Sequence, residues 1–294
     1  MAVKPNKVAM VLLVKNEIDI IDLNLRFHRA KGINQFIVMD NGSTDGTLDY
    51  LRDQAERSDL VVIDNPDSSY QQSKWMTAMA RQARDVFGVS HVIPNDADEF
   101  WWPKDGLSIP EVLSEDATVQ TVQRYNRLLT RAMESAKLPF YQAEYFVKSP
   151  ILYSGESQIN DPSCSMQLVK ISPKVIVQPR LLWKIKGGNH RARHLKFWSK
   201  YNNSDLQVHH FPYRTYSQFE TNIAGRAEKL GRPKVKMGPH IKRWVPMYNN
   251  GTLEQEYNHL LISDAQRTVL SEIGVIGQET GLPAFLADLM EPKP

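Results

Sequence analysis

Residues 35–65 read QFIVMDNGSTDGTLDYLRDQAERSDLVVIDN and form one complete strand–helix–strand unit. The apolar runs 35–40 and 60–65 have the length and the β-branched content of buried strands. Between them, 41–47 is rich in the residues that favour turns, and 47–57 has the pattern of a helix. Two strands joined by a short helix in this way are expected to lie parallel in one sheet.

The same alternation continues on both sides of this unit. Residues 8–14 and 91–96 predict further strands, and 18–32 and 69–88 predict helices. Four strands separated by three helical crossovers predict the α/β class, with a mainly parallel sheet that is flanked by helices. Within the turn 41–47, we expect a serine, threonine or aspartate side chain to cap the following helix.

After residue 105 the pattern is less regular. Strands are predicted at 117–129, 165–172 and 206–211, and a helix is predicted at 215–231, whereas 130–164 shows no clear period. The last forty residues have a helical pattern. The sequence therefore predicts a mixed second half of the sheet, followed by a helical C-terminal region.

The composition narrows the class of protein. The chain has 294 residues, of which 41% are hydrophobic and 23% charged, with a net charge of +3. This charge is too small to indicate nucleic acid, and no nucleic-acid partner is expected. The single cysteine, Cys164, excludes an internal disulfide and a cysteine-based zinc site. No signal-peptide pattern and no apolar run of about 18 residues is present, so we expect a cytoplasmic protein.

Carboxylates cluster where the strand at 91–96 ends. Asp96, Asp98 and Glu99 lie within four residues, and because like charges repel, a positive partner should offset them. Mg²⁺ or Mn²⁺ is often bound by one or two carboxylates together with substrate phosphates. The alternative is a solvated acidic loop. Trp101 and the tryptophan after it favour the first interpretation, although one of the two is expected in the core.

Polar residues follow the other strands as well. Glu17 comes after the first strand and Asp40 ends the second. Ligands of parallel sheets bind at the carboxyl ends of the strands. These side chains are therefore expected to meet the carboxylate cluster at one edge of the sheet.

Three motifs occur in an order and spacing that resembles a family 2 glycosyltransferase of the GT-A fold. They are LLVKNE (12–17), FIVMDNGSTDGT (36–47) and NDADEFWWP (95–103). The resemblance is greatest to the branch whose metal motif reads Asp-x-Asp-Glu-Phe. A weaker match to the same branch is VHHFPYRTYSQF (208–219). The fold implied is a GT-A-like nucleotide-binding sheet.

The resemblance implies a role for each matching residue. Asp40 corresponds to the aspartate that reads the base, and His210, rather than His209 on the opposite face, corresponds to a late metal ligand. The implied nucleotide contacts are Glu17, Asp40, Lys74 and Asp96, and the implied ligands of Mn²⁺ or Mg²⁺ are Asp96, Asp98 and His210.

The catalytic base is less well marked. The family resemblance implies an inverting enzyme whose base is an Asp or Glu downstream of the metal motif, where Asp161 is the first candidate and Glu156 the second. The usual Glu-Asp pair on a downstream helix is not obvious here, so the base and the stereochemical outcome stay open. Predicted contacts to the acceptor or to phosphate are His190, Arg191, Arg214 and Trp101.

The predicted reaction is transfer of a sugar from a nucleotide sugar, with UDP favoured, to a hydroxyl of a glycan, lipid or other acceptor. A nucleotidyltransferase is one alternative, but those enzymes usually carry a glycine-rich loop after the first strand, and VKNEIDII (14–21) has no glycine. The second alternative, a non-catalytic module that binds a nucleotide or a glycan, stays open, because fold does not fix function.

The predicted organisation is a GT-A-like domain over 1–231, followed by a basic linker and helical extension over 232–294. Within the domain, 1–103 form the nucleotide-binding half and 104–231 the acceptor side. The basic stretch 226–243 is either a solvated face or a peripheral contact with an anionic membrane, which would be the inner membrane face.

Overall fold

The computed structural model describes residues 6–56, 58–67, 71–228 and 238–291. Strands and helices alternate through the first hundred residues. The strands are β1 (Val8–Val14), β2 (Phe36–Asp40), β3 (Leu60–Asp64), β4 (His91–Asn95), β5 (Glu99–Pro103), β6 (Val119–Asn126), β7 (Tyr145–Val147), β8 (Lys174–Val177), β9 (Leu182–Ile185), β10 (Ala192–His194), β11 (Lys200–His210) and β12 (Ile276–Gln278). The helices are α1 (Ile21–Ala30), α2 (Thr47–Gln54), α3 (Gln72–Phe87), α4 (Arg131–Ser135), α5 (Gly155–Asn160), α6 (Tyr216–Ala227), α7 (Pro239–Asn249), α8 (Leu253–Leu260), α9 (Asp264–Glu272) and α10 (Gly281–Met290).

Eight strands form one sheet in the order β3-β2-β1-β4-β8-β6-β11-β5. The first four strands of this order pair in parallel. The pairs β4–β8, β8–β6 and β11–β5 are antiparallel. The predicted α/β class is thereby confirmed: a sheet whose first half is parallel, with helices on its faces and a mixed second half, as in a GT-A-like fold.

The parallel half is held together by apolar packing against α3. Trp75, Met76, Met79 and Ala83 recur at helical spacing and are buried in one cluster with β1, β2 and β4. Each fully buried side chain of methionine size contributes roughly 1.5–3 kcal/mol. The helix ends at Gly88, which adopts a φ of 62° that a residue with a Cβ rarely takes.

The described residues fall into two compact units, 6–124 with 172–210, and 125–171 with 211–291. The first unit contains the large sheet, apart from the last two residues of β6, and the β9–β10 hairpin. The second unit contains the helices α4 to α10 and the β7–β12 pair, with a small core around Leu128 and Leu168. Within the described residues, no helix combines the length and the hydropathy that spanning a bilayer requires.

Two local predictions are wrong, and a third is confirmed with one addition. The predicted strand at 165–172 is irregular, because the side-chain amide of Gln167 replaces a neighbouring strand by accepting from the Leu129 N–H (3.2 Å) and donating to the Leu129 carbonyl (3.4 Å). The cap of α2 is Gly46, with no side-chain hydrogen bond. The C-terminal region also includes a strand, β12, in addition to its helices.

Candidate metal and nucleotide site

The exits of β1 and β2 are joined by hydrogen bonds between side chains and backbone. The Asn16 N–H donates to Ser43 Oγ (2.9 Å), and the Thr44 N–H donates to Asn16 Oδ1 (2.8 Å). The Glu17 N–H donates to Thr47 Oγ1 (3.0 Å). Asn16 is in the left-handed region, with a φ of 56°, which asparagine tolerates better than most residues. The turn chemistry of 41–47 therefore fixes where the chain after β1 runs.

Asp45 supports the same turn. Its carboxylate accepts from the Thr47 amide (3.0 Å), the Thr47 hydroxyl (2.6 Å) and the Ile18 amide (3.1 Å). Burial opposes ionisation, but these hydrogen bonds outweigh it and hold the pKa of Asp45 below its usual range. Asp45 is thus a structural residue of the loop.

Asp40 has one carboxylate oxygen in use and one without a partner. It ends β2 beside Val14 and is fully buried. Its Oδ1 accepts from the Ser43 N–H (2.8 Å), whereas its buried Oδ2 has no hydrogen bond. An unsatisfied buried carboxylate oxygen is costly, and a ligand that donates a hydrogen bond to it would remove that cost.

Buried polar side chains hold the turn after β4 that carries Asp96, Asp98 and Glu99. Asn24 of α1 donates to the carbonyls of Ala97 (2.7 Å) and Glu99 (3.0 Å). Trp101 donates from its indole to Asn95 Oδ1 (2.7 Å) and has no exposed surface. Trp101 therefore has a structural role, and the predicted contact with an acceptor is not supported, because the ring lies in the core.

Two cations offset the carboxylates, as their repulsion requires. Lys174, the first residue of β8, contacts Asp96 Oδ2, and its Nζ lies 3.0 Å from Glu99 Oε1. The guanidinium of Arg124, on β6, lies 2.7 Å from the same Glu99 oxygen. The second oxygen of Asp96 accepts from Asn189 Nδ2 (3.1 Å). Because both oxygens of Asp96 are engaged, the structure does not favour it as a metal ligand.

Asp98, Glu99 and His210 form the group best placed to bind a metal. One ligand atom from each lies within 4.8 Å of the others, and Asp98 Oδ2 is 3.3 Å from His210 Nε2. His210 pairs with Glu99 across β11 and β5, while His209 pairs with Phe100 and is fully buried. Glu99 Oε2 is buried without a hydrogen bond and can serve as a ligand. Two carboxylates and one imidazole fit Mn²⁺.

His190 is neutral near pH 7. Its Nδ1 lies 2.9 Å from the carbonyl of Pro173, so that nitrogen carries the proton and Nε2 is an acceptor. Burial, together with the charges of Lys174 and Arg124, lowers the pKa of His190 to about 4. A neutral imidazole attracts phosphate weakly, so the predicted contact fits an acceptor hydroxyl better than a phosphate.

The other predicted site residues of the first compact unit are exposed or half-buried. Lys74 is exposed in the first turn of α3, Arg191 is exposed before β10, and Glu17 is half-buried after β1. Lys174 and Arg124 were not predicted from the sequence. For Lys174 the sequence offers a local signal, because this lysine directly precedes the apolar run VIV (175–177) and so predicts a charge at the start of a strand.

Three predicted residues belong to the second unit. The carboxylate of Asp161, after α5, accepts from the hydroxyl (2.6 Å) and amide (2.8 Å) of Ser163, which lowers the pKa of Asp161 and weakens it as a base. Glu156 is exposed in the first turn of α5, and Arg214 is buried. Of the basic stretch 226–243, 229–237 lie outside the described residues.

Comparisons with known proteins give structural likenesses only. No family model and no curated protein sequence matches the chain. S. aureus TarS 1–349 in complex with UDP-GlcNAc is 14% identical, with a TM-score of 0.42, over 92% of this chain and 76% of that one. Glucosyl-3-phosphoglycerate synthase from Mycobacterium tuberculosis, in complex with Mn²⁺, UDP and glucosyl-3-phosphoglycerate, is 13% identical, with a TM-score of 0.35, over 85% and 80% of the two chains. At these identities and TM-scores the matches carry no inference about substrate or catalysis.

Proposed function

We propose that the protein is a metal-dependent glycosyltransferase that uses a UDP-sugar as donor. The observation that carries the proposal is the convergence of Asp98, Glu99 and His210 in one potential metal site. Asp40 ends β2, which runs parallel to β4, the strand that leads into this site, with β1 between them. The carboxyl ends of parallel strands lie at one edge of the sheet. A metal site and a base-binding carboxylate on one edge suit a metal–nucleotide complex.

Asp98, Glu99 and His210 are the residues that would hold Mn²⁺ or Mg²⁺. When bound, the ion supplies Lewis-acid stabilisation of the departing diphosphate. Lys174 and Arg124 balance the charge of Glu99 and fix its Oε1, which leaves Oε2 directed to a ligand. Asp96, whose carboxylate contacts Lys174 and Asn189, is proposed to accept hydrogen bonds from the ribose, as the family resemblance implies.

The nucleotide is expected to carry uracil. Its N3–H is a donor that the unpartnered Oδ2 of Asp40 can accept. A buried acceptor built for one donor discriminates strongly against a base that lacks it, because the acceptor would then stay unpaired. Glu17 and Lys74 complete the proposed nucleotide contacts.

The remaining features are proposed on the sequence resemblance. Asp161, with Glu156 as the second candidate, is proposed as the base that deprotonates an acceptor hydroxyl of a glycan, a lipid or another molecule. Arg191 and Arg214 are proposed acceptor or phosphate contacts, inversion is the outcome that the family resemblance implies, and a cytoplasmic location is expected. The domain boundary at 231 and the membrane contact of 226–243 also stay predictions.

Asp98→Asn tests the function directly. The amide keeps the shape of the carboxylate but removes its charge, so Mn²⁺-supported UDP binding should weaken by about 100-fold and turnover should fall at least as much. Calorimetric titration of UDP with and without Mn²⁺ measures the first, and UDP release from UDP-sugars measures the second. Asp116→Asn, in an exposed turn of the same unit, is the matched control. Near wild-type turnover by Asp98→Asn would contradict the metal site.

The same assay separates an enzyme from a binding module. A transferase releases UDP from its donor only as the sugar is transferred to an acceptor or to water. A module that binds the nucleotide sugar should show Mn²⁺-dependent binding of UDP and no release from any UDP-sugar tested. Binding without release would leave the site in place and remove the catalytic claim.

A further inference from the structure

Large apolar side chains are exposed along the β9–β10 hairpin and the segment that follows it. Trp183 is 60% exposed, Leu195 58%, Phe197 68% and Trp198 71%. Leu181, which precedes β9, is 44% exposed. Isolated exposed apolar residues are common, but five of them within one short segment need an explanation. We call these five residues together with the basic residues of 180–200 the aromatic-basic face.

The charge of this face has one sign. From 162 to 204 the sequence has no aspartate or glutamate. Within 180–200, the basic residues are Arg180, Lys184, Lys186, Arg191, Arg193, Lys196 and Lys200. All of them except Lys186 are exposed. The guanidinium of Arg193 lies over the Trp183 ring at 5.6 Å, so charge and aromatic surface are interleaved.

The exposed rings are held outward by a fixed backbone. The Thr118 hydroxyl lies 2.9 Å from the carbonyl of Lys196 and 2.8 Å from that of Ser199, on either side of the ring pair. The Leu195 N–H donates to the Leu181 carbonyl (3.2 Å). Phe197 and Trp198 pack edge to face, with ring centroids 5.3 Å apart, and both stay exposed. Because hydrogen bonds fix the backbone on both sides of Phe197 and Trp198, we expect the two rings to stay exposed in the free protein.

We propose that the aromatic-basic face binds the surface of an anionic lipid bilayer. Exposed tryptophan, phenylalanine and leucine enter the boundary between headgroups and acyl chains, and lysine and arginine at their sides attract anionic headgroups. A single-stranded nucleic acid or an acidic glycan would also use rings and cations. Leu181 and Leu195 favour the bilayer, because an aliphatic side chain offers no plane on which a base stacks.

The hairpin that carries this face also reaches the candidate site. Asn189, in the turn between β9 and β10, donates to Asp96 Oδ1 (3.1 Å). Membrane binding would therefore bring the site towards the bilayer, which favours a lipid as the carrier of the acceptor hydroxyl. This assignment of a lipid-borne acceptor rests on the proposed function, whereas the membrane binding does not.

The test compares vesicles of phosphatidylcholine with vesicles that contain 30% phosphatidylglycerol. The full chain should sediment with the anionic vesicles at 0.1 M salt and much less with the neutral ones. The double variant Phe197→Ser/Trp198→Ser should bind at least tenfold more weakly. The matched control, Val86→Ser/Leu107→Ser, removes two exposed apolar side chains elsewhere in the same unit, 56% and 41% exposed, and should bind as the wild type does.

A second pair of variants tests the charges. Lys196→Gln/Lys200→Gln should bind the anionic vesicles at least threefold more weakly and depend less on salt. Brominated lipid should quench the fluorescence of the wild type more than that of Trp198→Phe, because Trp198 enters the bilayer. Equal binding by Phe197→Ser/Trp198→Ser and the wild type, or no binding of the wild type at 0.1 M salt, would overturn the proposal.

Two further outcomes also overturn it. If sedimentation velocity shows a dimer that Phe197→Ser/Trp198→Ser dissociates, the face joins two copies of the chain. If single-stranded nucleic acid binds the face and prevents vesicle binding at equal charge, the partner is a nucleic acid. Mn²⁺-supported UDP binding should be unchanged in Phe197→Ser/Trp198→Ser, so failure of this proposal and failure of the proposed function are distinguishable.

Discussion

At the scale of single residues, Asp40 gives the sharpest prediction. In Asp40→Asn, Oδ1 can still accept from the Ser43 amide, while an NH₂ group replaces the unpartnered Oδ2. That group donates, so it opposes the N3–H of uracil and suits the N3 acceptor of cytosine. We expect UDP affinity to fall by about tenfold or more and CDP affinity to rise, as a lost or gained buried hydrogen bond implies.

Calorimetric titration of UDP and CDP with Mn²⁺ present measures this exchange of preference. Asp64→Asn is the control, because Asp64 pairs with Asp40 in the neighbouring strand but is exposed. If Asp40→Asn weakens both nucleotides equally, Asp40 supports the fold of the edge and does not read the base.

Lys174 is a second residue whose substitution should have a measurable effect, here on the free energy of unfolding. Its ammonium is fully buried between the carboxylates of Asp96 and Glu99. Removing one partner of a buried ion pair typically costs about 3–5 kcal/mol, because the remaining charge stays buried. Lys174→Met should therefore lower the free energy of unfolding, measured by urea titration, by about 3 kcal/mol. The exposed Lys184→Met should change it by less than about 0.5 kcal/mol, and equal effects would contradict the proposed charge balance.

The sequence identifies these residues unequally, for a physical reason. Short sequence motifs contain Asp40, Asp98 and His210, and the order and spacing of these motifs indicate the roles of the three residues. Lys174 and Arg124 reach Glu99 through pairings of β8 and β6 that the local sequence does not specify. The need for a positive partner was predictable from the repulsion of the carboxylates, but its identity was not.

At the scale of secondary-structure elements, β11 determines which histidine meets the site. Side chains alternate along a strand, so His209 and His210 face opposite sides of the sheet. His209 is fully buried, whereas His210 lies beside Asp98. His210→Ala should weaken Mn²⁺-supported UDP binding by about 10- to 100-fold and leave the thermal midpoint nearly unchanged.

His209→Ala should have the reverse effect, because it opens a cavity in the core. We expect a loss of roughly 2 kcal/mol in the free energy of unfolding, with little change in metal dependence. Both variants are measured by thermal unfolding and by UDP titration with and without Mn²⁺. The opposite ranking would mean that β11 is shifted by one residue relative to β5.

Elements of the first hundred residues were predictable because their signals are local. Strands β1 to β4 are short apolar runs separated by turn residues, and their pairing follows from the helical crossovers. Beyond β5 the sheet is assembled from β6, β8 and β11, which lie far apart in the sequence. Non-local pairing leaves no period in a single segment, so the irregular stretch around Gln167 was mistaken for a strand.

At the scale of the whole molecule, buried neutral histidines set a limit to stability in acid. The His28 ring accepts from the Trp101 N–H at Nε2 (3.3 Å) and lies against the Asn24 carbonyl at Nδ1 (2.8 Å), an arrangement that a neutral ring alone satisfies. Burial lowers the pKa of His28 to about 3, against a weaker opposing effect of the hydrogen bond to Asn24. Burial likewise lowers the pKa of His91 to about 4, opposed by its hydrogen bond to Ser114.

These lowered pKa values predict how stability changes with pH. Above about pH 6.5 both histidines are neutral in the folded and unfolded chains, so the full stability is present. As pH falls below that value, the unfolded chain binds protons that the folded chain excludes, and stability is lost progressively towards pH 3–4. Between pH 7.5 and 5.5 each histidine should lower the free energy of unfolding by roughly 1 kcal/mol.

Urea titrations at the two pH values measure this difference. His190, whose pKa is also lowered to about 4, contributes to the same loss. In His28→Gln the difference should therefore shrink by about a third, whereas the exposed His259→Gln should leave it unchanged. An unchanged difference in His28→Gln would mean that His28 is already charged in the folded protein and that its contacts to Trp101 and Asn24 are arranged differently.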